Sequence, residues 1–155
     1  MKIRIFSISK VRQSFILEGE EEYLQRLKSI AAIERVELSV DAPSSLPEQE
    51  IMKREARAAI AKFRKDEYVI VLDETGKELT SRTFAAMLDQ RMQRGQQGIA
   101  FVIGGAFGTD PELKKRADAV ISLSRLTFPY QLTRLILVEQ LYRAFSILKG
   151  IPYHK

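Results

Sequence analysis

The chain has 155 residues, 45% hydrophobic and 29% charged, a length and balance that suit one domain with its own core, taken as residues 1–155. It contains no cysteine and one histidine, which removes disulfides, thiolate catalysis, cysteine-bound zinc and a histidine-rich metal site, and no apolar run reaches the roughly 18 residues that span a bilayer. The net charge of +5 lies wholly in the last third: residues 1–110 hold 17 basic and 17 acidic side chains, residues 111–155 hold 8 and 3, a bias that either faces a polyanion or simply aids solubility.

In chain order, "KIRIFSI" (2–8) alternates and predicts a strand; it lacks the continuous apolar stretch of a secretory signal, so a cytoplasmic protein is expected. Ser14 is placed to cap a helix whose Tyr23, Leu24, Leu27 and Ile30 share one face. "IERVELS" (33–39) predicts a second strand and "DAPSSLP" (41–47) a turn. Pro47 then opens a long helix in its first turn. "YVIVLD" (68–73) is a continuous apolar run, as in a central parallel strand covered on both faces. A helix from Thr80 or Ser81 runs to Gln93 and stops at Gly95. "GIAFVIGG" (98–105) predicts another buried strand, and Asp110 with Pro111 starts a short helix. "AVISLS" (119–124) is the last strand and 132–148 the last helix. Strict β-α alternation predicts an α/β fold of three layers, α/β/α, with a mostly parallel sheet.

Three strand ends carry candidate chemistry. "VIVLDE" (69–74) ends in Asp73 and Glu74, like the acidic strand of a nucleotide hydrolase, but no G-x-x-x-x-G-K-[ST] loop accompanies it. "VIGGAFGTD" (102–110) has three glycines that permit close backbone approach to a ligand, without the G-x-G-x-x-G of a dinucleotide site. "SLSRLTFPYQ" (122–131) is the third loop. In a parallel sheet all three converge on one edge, where a pocket of backbone N–H and C=O groups suits a flat heterocycle such as adenine. The last helix is apolar nearly all round, so it is expected either to thread the core or to be shared with a second subunit. The sole histidine, His154, stands one residue from the C-terminus, where a solvated tail residue is the ordinary finding.

"FVIGGAFG", "LSRLTFPYQLTRLILVEQLYRAFSI" and the terminal "PYHK" together resemble the RlmH family of the SPOUT superfamily, over essentially the whole chain. The resemblance implies a SPOUT-type fold with a C-terminal trefoil knot, a homodimer, and S-adenosylmethionine as methyl donor. It implies methylation of N3 of a pseudouridine in 23S rRNA of the large subunit, on the assembled ribosome. Carried over by position, the cofactor contacts are Leu72, Gly104, Gly105, Leu123, Ser124, Arg125, Leu126, Thr127 and Phe128. Two departures stand out. Many members have His where this chain has Tyr130, and K-E-G where this chain reads "REA" (54–56). The second lies far in sequence from the three loops, so little functional effect is expected from it.

N3 of pseudouridine carries a proton, so methylation needs a base or a stabiliser of the developing anion. His154, with an unperturbed pKa of about 6.5, is the imidazole available for this. Arg143 is the expected stabiliser of negative charge, and Tyr142 and Tyr153 the expected stacking surface for a base. Arg125, Arg134, Lys114, Lys115 and Arg116 are candidate rRNA contacts or a solvated face. The rival reading is a non-enzymatic ribosome- or RNA-binding α/β module, which would need no glycine-lined cofactor pocket.

Overall fold

In the computed structural model, which describes residues 1–8 and 10–155, the ten expected elements follow in order. They are β1 (Lys2–Ile8), α1 (Ser14–Leu27), β2 (Ala32–Leu38), α2 (Glu48–Ile60), β3 (Glu67–Glu78), α3 (Ser81–Gln93), β4 (Gly98–Ile103), α4 (Pro111–Arg116), β5 (Ala119–Ser122) and α5 (Tyr130–Lys149). The strands form one parallel sheet in the order β2-β1-β4-β3-β5. Residues of α1, α3 and α5 pack in the core on one face, those of α2 and α4 on the other. The result is the three-layer α/β architecture that the alternation predicts.

The continuous apolar runs are central, as expected: every residue of β4 is buried, and so are Val69, Ile70, Val71 and Leu72 of β3. β1 differs from its pattern. Its alternation does not mark a half-exposed strand, because Arg4 and Ser7 are buried too. Arg4 is held by Glu67, with Nη1 donating to Oε2 at 2.9 Å. β3 also runs further than the apolar stretch: after a register shift between Leu72 and Lys77 it pairs with β5 a second time. Gly76 lies in that irregular segment, where a Cβ would stand 2.6 Å from the Ile121 carbonyl carbon. Only glycine lets the two backbones meet there.

Three local readings need correction by a residue or two. Ser14 does not cap α1; it is the first helical residue, and Gln13 at the cap makes no side-chain bond. Pro47 sits at the cap of α2, not inside its first turn. α5 begins at Tyr130 because Pro129, with its fixed φ, stands just before it. The other two caps form as read. Thr80 accepts from Thr83 N at 3.1 Å, and Asp110 accepts from Glu112 N at 2.7 Å.

α5 lies between α1 and α3 against the sheet, and no residue of it before Lys149 is exposed. Its nearly uniform apolar surface is therefore met largely within one chain. Its one deeply buried charge, Arg134, is only 1% exposed. The guanidinium donates to Glu20, to Glu37 at 3.0 Å and to Ser7 Oγ at 3.3 Å, tying α5 to α1, β1 and β2. Arg134 is thus a buried tie and not an rRNA contact. A charge in that position needs its carboxylate partner or it destabilises the fold by several kcal/mol, about 3–5.

The candidate cofactor cavity and the C-terminal cluster

The ends of β3, β4 and β5 do converge, on a cavity of about 640 Å³. Such a volume accommodates a nucleoside-sized ligand. Leu72, Gly104, Gly105, Leu123, Ser124, Leu126, Thr127 and Phe128 line it. Arg125 of the same run does not. Its side chain is 85% exposed, and its Nε donates to Glu78 at 2.9 Å.

The glycine loop owes its shape to backbone contact. Gly108 has φ +92°, and its N–H donates to Gly105 O at 3.2 Å, closing a tight turn. A Cβ on Gly104 would stand 2.8 Å from Gly108 O and 2.8 Å from Thr109 Cγ2. The wall at this point is therefore peptide, able to donate and accept hydrogen bonds at close range.

Asp73 joins two of the loops. Its carboxylate accepts from Thr75 N at 2.9 Å and from Thr109 Oγ1, and pairs with Lys114 Nζ at 2.8 Å. Burial alone would raise its pKa, but the bonds from Lys114, Thr109 and Thr75 hold it well below the usual carboxylate range. Lys114 is thereby committed to the cavity wall. Arg116 lies over the Phe63 ring, 5.7 Å from its centroid, and Lys115 is left exposed. Asp73, Thr75, Thr109 and Lys114 were not expected as a unit; the capped start of α4 two residues after Gly108 was the one local signal.

The second helix also corrects its reading. α2 is distant from the three loops in sequence and adjacent in space. Met52 lines the cavity, and the Glu55 carboxylate fills the place where a Gly105 side chain would begin, 2.6 Å from that Cβ position. Burial pushes the Glu55 carboxyl up. The "REA" segment therefore borders the glycine loop, and its distance in sequence is no ground for expecting little effect there. Tyr130 also lines the cavity, and its hydroxyl donates to Lys10 O at 3.4 Å.

His154, Arg143, Tyr142 and Tyr153 stand together, but not at the cavity. They gather on α5 and the tail beyond it. Tyr142 is twelve residues from Tyr130, about 18 Å along a helix. There the tail is tied down. Ile151 N donates to Ser146 O at 2.9 Å, and Tyr153 Oη donates to Glu139 Oε1 at 2.9 Å and to Tyr23 Oη at 3.3 Å. Tyr142 and Tyr153 meet edge to face with centroids 4.8 Å apart. Arg143 donates to Glu139, covers the Tyr153 ring at 4.7 Å, and has Nη1 3.5 Å from His154 Nδ1. Burial, with the bonds to Tyr23 and Glu139, pushes the Tyr153 phenol up, so it stays protonated and donating. His154 is half-buried and oriented, which a solvated tail residue would not be. Among the described residues no group of three or more His, Cys, Asp or Glu side chains could hold a metal ion, and no helix is long and apolar enough to cross a membrane.

The chain is similar to known proteins in sequence and in fold. Residues 1–154 match the family described as "Predicted SPOUT methyltransferase". A protein of Acetivibrio thermocellus named ribosomal RNA large subunit methyltransferase H is 41% identical, over the full length of both chains. One of the same name from Enterococcus faecalis is 40% identical, again over both full lengths. Among solved structures, the tRNA (m1G37) methyltransferase of Aquifex aeolicus superposes with a TM-score of 0.58 at 16% identity, covering 100% of this chain and 74% of that one. A probable methylase family protein of Haemophilus influenzae gives 0.54 at 14% identity, covering 99% and 70%. At such identities the structural likeness speaks for the fold. The match along the whole chain speaks for descent, and the chain belongs to the SPOUT methyltransferase family, among proteins named ribosomal RNA large subunit methyltransferase H.

Proposed function

We propose that this protein is one catalytic domain, residues 1–155, that methylates N3 of a pseudouridine in 23S rRNA of the large ribosomal subunit, on the assembled ribosome and hence in the cytoplasm. The observation that carries the reading is the cavity at the ends of β3, β4 and β5, walled by glycine backbone and apolar side chains, in a chain of this family. A non-enzymatic RNA-binding module would need no such cavity.

The cavity's chemistry fits S-adenosylmethionine. Peptide groups of the glycine loop and of 123–128 suit the edge of an adenine, and Leu72, Ile103, Leu123 and Phe128 suit its faces. The one lysine in the wall is neutralised by Asp73, so a cationic ligand meets no free positive charge there. When bound, the cofactor supplies an electrophilic methyl group on a sulfonium. The protein has to hold the uracil ring in line and take the N3 proton. His154 is the group for that proton, Arg143 stabilises the charge left on the ring, and Tyr142 and Tyr153 hold the base. Arg125, outside the cavity wall, fits a phosphate contact better than a cofactor contact.

Within one chain the nearest of these groups, Tyr142, stands nine residues along α5 from the cavity-lining Thr133, about 14 Å. A homodimer resolves the separation, with the tail of one protomer completing the cavity of its partner. A trefoil knot belongs to the same reading. It accounts for the close crossings at Gly76 and Gly104, where a threaded chain leaves no room for side chains. The test is transfer of labelled methyl from S-adenosylmethionine to ribosomes lacking the modification, with the product mapped by mass. Label on N3 of one pseudouridine is the expected result. Cofactor binding without label would keep the cavity and reassign the substrate.

A further inference from the structure

Phe15 is 63% exposed, whereas the next residue along α1, Ile16, is 1% exposed. Facing away from the core, the ring contributes little to the fold. Lys10 and Arg12 precede it, both exposed, and neither pairs with a carboxylate among the described residues. By contrast, exposed Arg26 is paired with Glu22 and exposed Arg125 with Glu78. The segment is also held against the cavity wall. Tyr130, which lines the cavity, donates to Lys10 O, and Arg12 N donates to Gln131 Oε1 at 3.2 Å. Beside it, the cavity mouth carries Leu126, 73% exposed, and Phe107, 45% exposed.

We propose that Phe15, flanked by Lys10 and Arg12, is a docking platform for substrate RNA, on which a base next to the target nucleotide stacks. The inference rests on the RNA substrate proposed above and goes beyond it, to where the strand lies. An enzyme acting on a ring nitrogen inside folded RNA must draw the nucleotide out of its stack. That leaves a neighbouring base without a partner, and an exposed phenyl ring replaces the lost stacking whatever the base. The two free cations meet the adjoining phosphates. They also select the occupant, since an apolar protein patch would gain nothing from two uncompensated positive charges within five residues of the exposed ring.

The test uses the full-length protein with large subunits lacking the modification, and compares wild type with Phe15→Ala, Phe15→Trp and the pair Lys10→Glu and Arg12→Glu. For Phe15→Ala we expect KM for the subunit to rise about tenfold while kcat and the affinity for S-adenosylmethionine stay within about twofold. Phe15→Trp restores the wild-type KM, and the charge-reversed pair flattens the salt dependence of subunit binding. An unchanged KM in Phe15→Ala overturns the proposal. So does loss of dimers in sedimentation together with loss of cofactor affinity, which would give the face to a second copy of the chain. Direct binding of labelled subunits separates this from the methylation reading. If wild type transfers no methyl group yet Phe15→Ala still weakens binding, the platform stands and the reaction is reassigned; equal binding by both proteins overturns the platform.

Discussion

The two ends of α5 are built from different materials. At its start the cavity is made of backbone: Gly104, Gly105 and Gly108 bring peptide groups to the surface, and side chains such as Asp73 serve to hold the loops together. At its far end the cluster is made of side chains: Tyr142, Arg143, Tyr153 and His154 pack on one another and on Tyr23 and Glu139. A peptide wall binds by shape and by fixed donors, and it fails when a Cβ intrudes. A side-chain cluster acts by proton and charge, and it fails when a functional group is removed. The contrast teaches that the proposed cofactor site and the proposed catalytic cluster would fail in different ways, one to an added side chain and the other to a removed one.

Breaking the first end should have the largest effect. Gly104→Val puts methyl groups where Gly108 O stands 2.8 Å from the ideal Cβ position. Overpacking of this kind costs about 3 kcal/mol, roughly a hundredfold or more in cofactor affinity, read by calorimetric titration with S-adenosylmethionine. Breaking the second end should leave that titration untouched. His154→Ala is expected to lower kcat about a hundredfold, the usual worth of a positioned base, with cofactor affinity unchanged. Unchanged turnover would remove the histidine from the reaction. Mixing the two inactive proteins sharpens the comparison. If the tail works in the partner's cavity, an equimolar mixture with exchanged subunits regains about a quarter of wild-type activity; if it works in its own, the mixture stays inactive.

Smaller effects test what supports each end. Asp73→Asn leaves Lys114 without its charge partner, and should lower stability by about 2 kcal/mol at pH 7 in urea unfolding. Because the folded-state pKa of Asp73 lies below its unfolded value near 3.9, this contribution is full above about pH 5 and fades as pH falls toward the folded value. The stability gap between wild type and Asp73→Asn should therefore narrow between about pH 5 and pH 3. An unchanging gap would mean that the carboxylate's charge plays no part. The smallest effect is expected at Lys115, exposed on α4 away from the cavity wall. Lys115→Glu should change affinity for ribosomes by less than about twofold at physiological salt. A steep, salt-sensitive loss would extend the RNA-facing surface to α4.

Much of this molecule was legible before folding. The order of ten elements followed from two periods of hydrophobicity, and the converging loops followed from parallel strands. Arg134 was misread for a definite reason. A basic residue in a C-terminal basic segment looks like a nucleic-acid contact, and its partners Glu20 and Glu37 lie about a hundred residues away. The local signal was present in its neighbours: a cation followed directly by four apolar residues, Leu135 to Val138, is either buried and paired or functional. Glu55 was passed over because distance along the chain was taken for distance in space. Arg125 alone of the run 123–128 falls outside the cavity because its side chain turns to Glu78, 47 residues earlier in the chain.

What the chain determined by itself was the architecture and the kind of site. Apolar runs must be buried and glycines permit close approach, and both facts are local. Only the tertiary structure decided which charges are free. Pairing depends on which distant carboxylates arrive beside a given cation, and it turned Arg134 and Lys114 into structural ties while leaving Lys10 and Arg12 open to solvent. It also decided that His154 lies away from its own chain's cavity, because the tail is held against Arg143 and Glu139 of α5.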